Sequence, residues 1–185
     1  MLGRSIRQVK RLHLLLLDAN IVIYLFKLGL WEKVVDLCEV HISEIVKSEC
    51  RFYEDVTGKR CTIDLTPMIA NGDVKVFKLM PSEITSFLDR FSIGYIEKLD
   101  PGETETLAFL LNSEEKYTIC ASDQIVFRVL GALNRSEQGI SLEEVLKSIG
   151  LNRKLLSQFT KTLRKQWTDR GFAEGLQGLA KKKLP

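Results

Sequence analysis

Leu12-His13-Leu14-Leu15-Leu16-Leu17-Asp18-Ala19-Asn20 is a short apolar run closed by polar residues. The run from Leu12 to Leu17 is too short for a buried helix. It reads as a strand covered on both faces, as in a parallel sheet. An aspartate at the carboxyl end of such a strand stands where open α/β sheets bind their ligands. Read on its own, Asp18 is equally a cap for the helix that follows.

Outward from this strand the pattern alternates. Residues 21–38 read as helix, broken near Gly29, and Val40-His41-Ile42 as a short strand. Ser43 is placed to cap a helix running to about Asp55, and residues 57–73, with Thr57-Gly58, Pro67 and Asn71-Gly72, read as loop or irregular insertion. Val74 to Leu79 alternates as a strand does. Helices are expected from Pro81 to about Phe91, Pro101 to about Asn112, Asp123 to Leu133, Leu142 to Ile149, Leu155 to Trp167 and Phe172 to Ala180, with a core strand over Tyr117 to Ala121. Strands alternating with helices predict an α/β fold around a parallel sheet.

A chain of 185 residues with 45% apolar and 28% charged residues can bury a sizeable core and is not of disordered composition. Four Cys without a C-x-x-C pair, and only two His, argue against structural zinc. They are expected to be reduced thiols of a cytoplasmic protein. Arg4, Arg7, Lys10 and Arg11 before the leucine run imitate a secretion signal until Asp18 and Asn20 interrupt it, and no apolar stretch reaches the roughly 20 residues of a membrane helix. Charge is uneven: residues 1–150 carry 18 Lys+Arg against 22 Asp+Glu, whereas 151–185 carry 9 against 2. The chain is expected to divide, near Asn134-Arg135-Ser136, into an acidic domain over 1–134 that carries the candidate site and a basic helical C-terminal extension over 135–185. Arg153, Lys154, Lys161, Arg164 and Lys165 are the candidate nucleic-acid contacts of that extension. Trp167 is a candidate for stacking on a base or, by the blander reading, for packing against the core.

Five acidic residues stand out. Asp18 and Asp123 lie at or just past strand ends. Glu49 falls in the stripe Ile42, Ile45, Phe52 and Val56 at helical spacing, where a carboxylate is costly to bury unless paired, Arg51 or Arg90 being the ordinary partners. Glu103 and Glu105 open the helix after Pro101-Gly102, but two residues apart on a helix means about 200°, so only one can face a given site.

Taken together, Leu17-Asp18-Ala19-Asn20-Ile21-Val22-Ile23, Ile42-Ser43-Glu44-Ile45-Val46-Lys47-Ser48-Glu49, Asp100-Pro101-Gly102-Glu103-Thr104-Glu105-Thr106-Leu107-Ala108 and Ala121-Ser122-Asp123 resemble, in order and spacing, the motifs of the PIN-domain nucleases. The resemblance covers about residues 12–133. It implies a three-layer sandwich with a central parallel sheet flanked by helices, and a cluster of acids holding Mg²⁺ or Mn²⁺ for cleavage of RNA, less often DNA. Matched by motif, Asp18, Glu49, Glu105 and Asp123 are the expected catalytic and metal-binding residues. Glu103 is the rival of Glu105, and Asn20 and Ser122 are the polar residues that steady the cluster. Many relatives are VapC-type toxins that bind an antitoxin, and homodimers are common. The insertion at 57–73 and the long tail depart from the compact toxin pattern.

Two ionised carboxylates about 5 Å apart at an effective dielectric near 20 repel by roughly 3 kcal/mol, so such a cluster calls for a hard cation. The other readings are an inactive PIN-like binding or scaffold module and a regulatory α/β protein whose basic tail binds DNA. A nucleotide-binding enzyme lacks its glycine-rich motif, and Ser- or Cys-based hydrolysis lacks a histidine partner.

Overall fold

The computed structural model describes residues 14–181. The basic residues Arg4 to Arg11 and the first two residues of the expected strand lie outside that range. Within it, β1 (Leu14–Leu17), β2 (Glu39–Ser43), β5 (Val74–Phe77), β6 (Thr118–Cys120) and β7 (Gly139–Ile140) form one parallel sheet, in the order β5-β2-β1-β6-β7. A separate antiparallel hairpin joins β3 (Phe52–Glu54) to β4 (Arg60–Thr62).

The leucine run explains the layering. Successive strand residues point to opposite faces. Leu15 and Leu17 enter one core with Val40, Ile42 and Cys120, whereas Leu16 enters the other with Ile119 and Ala121. All three leucines are buried, each contributing about 2 kcal/mol relative to exposure. The first core is covered by α1 (Ala19–Lys27), α2 (Trp31–Leu37), α3 (Glu44–Glu49) and α9 (Leu142–Ser148). The second is covered by α5 (Pro81–Leu88), α7 (Pro101–Asn112) and α8 (Gln124–Ala132). The expected α/β architecture of a central parallel sheet between helices is therefore present.

Two stretches differ from the sequence reading. The helix after Ser43 stops at Glu49 instead of Asp55. Phe52 to Glu54 is strand because Asp55 fixes a tight turn: its Oδ1 accepts from the amides of Thr57 (2.8 Å) and Lys59 (3.0 Å), and Gly58 takes φ +80°. The supposed stripe is broken accordingly, with Val56 92% exposed and Phe52 lying under the Arg60 guanidinium. The 57–73 insertion is correspondingly ordered, holding β4 and α4 (Thr66–Ala70).

The proposed division at 134 does not separate two bodies. β7 completes the sheet edge beside β6, and α9 supplies Leu142, Val145 and Leu146 to the first core. The two helices expected over 155–180 are one, α10 (Lys161–Leu176), preceded by a turn at Ser157–Phe159. It lies against α8 so closely that a Cβ on Gly171 would fall 1.9 Å from the Arg128 carbonyl oxygen, and one on Gly131 2.1 Å from that of Thr168. With Gly175 facing Ala132, small residues let two backbones approach without side chains between them. Gly171→Ala must push the helices apart. Its urea midpoint is expected to fall by the equivalent of about 2–3 kcal/mol with the slope unchanged, an overpacking cost. An unchanged midpoint would show that α10 is loosely seated.

Candidate active site

The sheet order reverses at β1: later strands add on the β2 side, then on the β6 side. Ligands of open α/β sheets bind in the crevice at such a switch point, outside the carboxyl ends of the strands. Asp18 stands there. Its Oδ1 accepts from the Ile21 amide at 2.7 Å, capping α1, and its Oδ2 accepts from the Ser122 amide at 3.0 Å, just beyond β6. The carboxylate is thus fixed by both strands flanking the switch.

Asp18 opens into a pocket of about 280 Å³ whose polar lining includes Asn20, Glu49, Asp100 and Glu103. Among the described residues no Lys, Arg or His lines it. Asp100 and Glu103 are brought together by the start of α7. Asp100 Oδ1 accepts from the Glu103 amide at 2.7 Å, and Glu103 Oε2 accepts from the Asp100 amide at 3.2 Å. This reciprocal box caps the helix and turns Glu103 back toward its amino end, into the pocket. Gly102 keeps the space between the acids open: a Cβ there would lie 3.2 Å from Val46 Cγ2, 3.4 Å from Asp100 Oδ1 and 3.6 Å from Glu49 Oε2.

Negative charge without a counter-charge shows in the protonation of the group. Burial pushes the Asp18 carboxyl up to about 6, with Asp100 and Asp123 adding to the rise against the two amide bonds. Burial likewise pushes Glu103 up to about 8, helped by Asp100, Asp123 and Asp18. Glu49 is raised by partial burial and by Asp100. The Cys50 thiol is pushed up to about 12, first by burial and then by Asp18 and Glu49, which leaves it protonated and no nucleophile.

Of the expected quartet, Asp18 and Glu49 line this pocket. Glu49 is not buried in an apolar stripe; it is exposed at the end of α3, and it forms no ion pair among the described residues. Asp123 is exposed, caps α8 through the Ile125 amide at 3.0 Å, and acts on Asp18 and Glu103 through its charge. Glu105 is the correction. It is 2% exposed and points away: its Oε1 accepts from the Leu79 amide at 2.9 Å, tying α7 to the end of β5, and its Oε2 is buried without a partner. Glu103, its rival, holds the pocket position, because the capping box fixes which of two residues 200° apart faces the site. Asn20 lines the pocket, while Ser122 acts through its backbone amide. Asp100 was missed as a site residue; the D-x-x-E capping signature in Asp100-Pro101-Gly102-Glu103 would have paired it with Glu103.

None of the five tail cations lines the pocket. Arg164 is paired with Glu144 through bonds of 2.7 and 3.0 Å. Lys161 lies 3.7 Å from the same carboxylate, and Arg153, Lys154 and Lys165 are exposed. Trp167 packs on the second core.

As a donor set, Asp18, Glu49, Asp100 and Glu103 offer only hard oxygens, which suit Mg²⁺ or Mn²⁺ rather than zinc. Among the described residues no three acidic, His or Cys side chains are close enough to hold an ion as they stand. Glu49 and Asp123 are both solvent-exposed, Glu49 on the pocket lining and Asp123 outside it. Comparisons with protein-family models, curated proteins and solved structures give no match.

Both raised carboxyls hold protons more tightly in the folded chain than in the unfolded one, so their stabilising contribution is present at low pH and lost as pH rises. His41, lowered by burial, acts in the opposite sense, but only below its ordinary 6.5. In chelator, stability is therefore expected to fall as pH rises from about 6.5 toward and through the Glu103 value of about 8. Glu103→Gln should flatten that fall in urea midpoints measured across the same range; a parent midpoint that rises instead would contradict the assignment.

Proposed function

We propose that the chain is a Mg²⁺- or Mn²⁺-dependent nuclease of the PIN type, acting on single-stranded RNA. The observation that carries this reading is the pocket at the switch point, lined by Asp18, Glu49, Asp100 and Glu103 with no cationic side chain among the described lining residues. Buried acids that repel one another persist when a ligand needs them, since a cation-free pocket of this kind is destabilising at neutral pH.

Asp18, locked by two amides, supplies the fixed ligand position. Glu103 supplies a second from the start of α7, and Glu49 and Asp123 close from the rim. A bound hard cation would acidify a water and offset charge on the attacked phosphate. The chain's own work is to hold ligand oxygens in place, exclude competing cationic side chains and leave the mouth open beside Glu49 to a polynucleotide strand. No cysteine or histidine is required, in keeping with the protonated Cys50 and with His41 buried at the sheet between Glu39 (3.1 Å) and Tyr117 (3.3 Å).

Calorimetric titration with Mn²⁺ is expected to show binding by the parent that is weakened at least about tenfold in Asp18→Asn and Glu103→Gln, the loss typical of disturbing a metal's ligand shell. Metal-dependent cleavage of a single-stranded RNA should fall about 100-fold or more in the same two variants, while Glu105→Gln keeps it. Full cleavage by Asp18→Asn, or no Mn²⁺ binding by the parent, would sink the reading and leave a binding module.

A further inference from the structure

Asp123 borders a second concavity, of about 160 Å³, lined by Lys98, Gln124, Arg128, Trp167 and Arg170 as well. That is the size for a chemical group rather than a whole drug-sized ligand. Its charge is opposite to that of the acid pocket, with three cations around it.

Two of the three cations are held in place. Glu174 on α10 receives Arg128 Nε at 2.5 Å, Arg170 Nε at 3.0 Å and the Tyr95 hydroxyl at 3.0 Å. The Arg128 guanidinium also lies 4.4 Å over the Tyr95 ring. One carboxylate thus orients two guanidiniums, and each has five N–H donors, so capacity for a further acceptor remains. Lys98 is exposed and forms no ion pair among the described residues. It stands two residues before Asp100, which lines the acid pocket. Gln124 and Ile125 begin α8, whose amino end adds partial positive charge. Counting Asp123 and Glu174 against the three cations leaves an excess of positive charge beside an acid site.

We propose that this concavity binds a backbone phosphate of the nucleic-acid strand whose neighbouring phosphodiester enters the acid pocket. The identity of the ligand rests on the nuclease reading above. Asp123 joins the two sites, lining one and acting electrostatically on Asp18 and Glu103 in the other. The site reads phosphate and not base, because Arg170 covers the Trp167 ring at 5.0 Å and the indole packs on the core. Binding here is therefore independent of sequence and sensitive to salt. The cations that serve it come from the loop before α7, from α8 and from α10; Arg170 belongs to the basic C-terminal segment, but none of the three is among the five residues singled out from it.

The test measures fluorescence anisotropy of a labelled single-stranded RNA, in chelator to prevent cleavage, over a salt series. Lys98→Gln/Arg170→Gln is compared with the parent and with Lys33→Gln/Lys147→Gln, which removes equal charge from exposed positions outside both concavities. Arg128 is left in place so that Glu174 stays paired. The expected result is about a tenfold loss of affinity and a salt slope smaller by about 0.7 for each phosphate contact removed, with the control pair near the parent. Lys98→Gln alone, which touches no packing, should give an intermediate loss, so misfolding cannot imitate the result. Equal affinity and equal salt slope in the parent and Lys98→Gln/Arg170→Gln overturn the proposal. Mn²⁺ titration of the same proteins separates the two ideas. Intact Mn²⁺ binding with RNA affinity indifferent to Lys98 and Arg170 removes the phosphate site alone. A parent that binds no Mn²⁺ but binds RNA, with affinity lost in Lys98→Gln/Arg170→Gln, removes the hydrolase alone.

Discussion

The Asp18 carboxylate is buried where the sheet changes direction, held by one amide from the helix that follows β1 and by another from beyond β6. A buried charge is tolerated only when its oxygens are bonded, and here the partners come from residues about a hundred positions apart. That bond pair fixes the distance between the ends of β1 and β6. It also places the start of α8, with Asp123, beside the start of α1. The acid pocket and the concavity next to it are both built around this junction.

Four of the acids at and beside the site also have a structural task. Asp18, Asp100 and Asp123 cap α1, α7 and α8, and Glu103 completes the box on α7. Capping and ligand binding are compatible because both use helix amino ends that gather at the carboxyl edge of a parallel sheet. The helix dipoles soften the repulsion among the acids but do not cancel it, as the raised carboxyls of Asp18 and Glu103 record. Stability and site chemistry therefore pull in opposite directions at neutral pH.

The C-terminal segment is built into the body by two means. β7 and α9 extend the sheet and the first core, and α10 locks onto α8 through Gly131, Gly171 and Gly175. Because that contact is backbone to backbone, α10 cannot shift without moving Arg128 and Glu174, whose pairing depends on it. The excess of basic residues in this segment is thus partly consumed: Arg164 holds Glu144, and Arg170 shares Glu174 with Arg128.

The sequence by itself determined the parallel α/β plan, since a four-leucine strand ended by Asp18 fits only a sheet covered on both sides. It also determined several helix starts, since Ser43, Pro81, Pro101 and Asp123 are local signals within the first turn of the helices they open. Local signals failed where pairing is set from outside the window. The Asp55 turn converted an expected helix into a hairpin, β7 is a two-residue strand that only its neighbour β6 makes visible, and α10 is a single helix because its glycines meet a partner. The same limit decided the site. Periodicity restricts Glu103 and Glu105 to opposite faces but does not say which face meets Asp18, and charge counting finds a basic tail but not which guanidiniums are already bonded. Tertiary structure alone decided both, because burial and ion pairing join residues far apart in the chain.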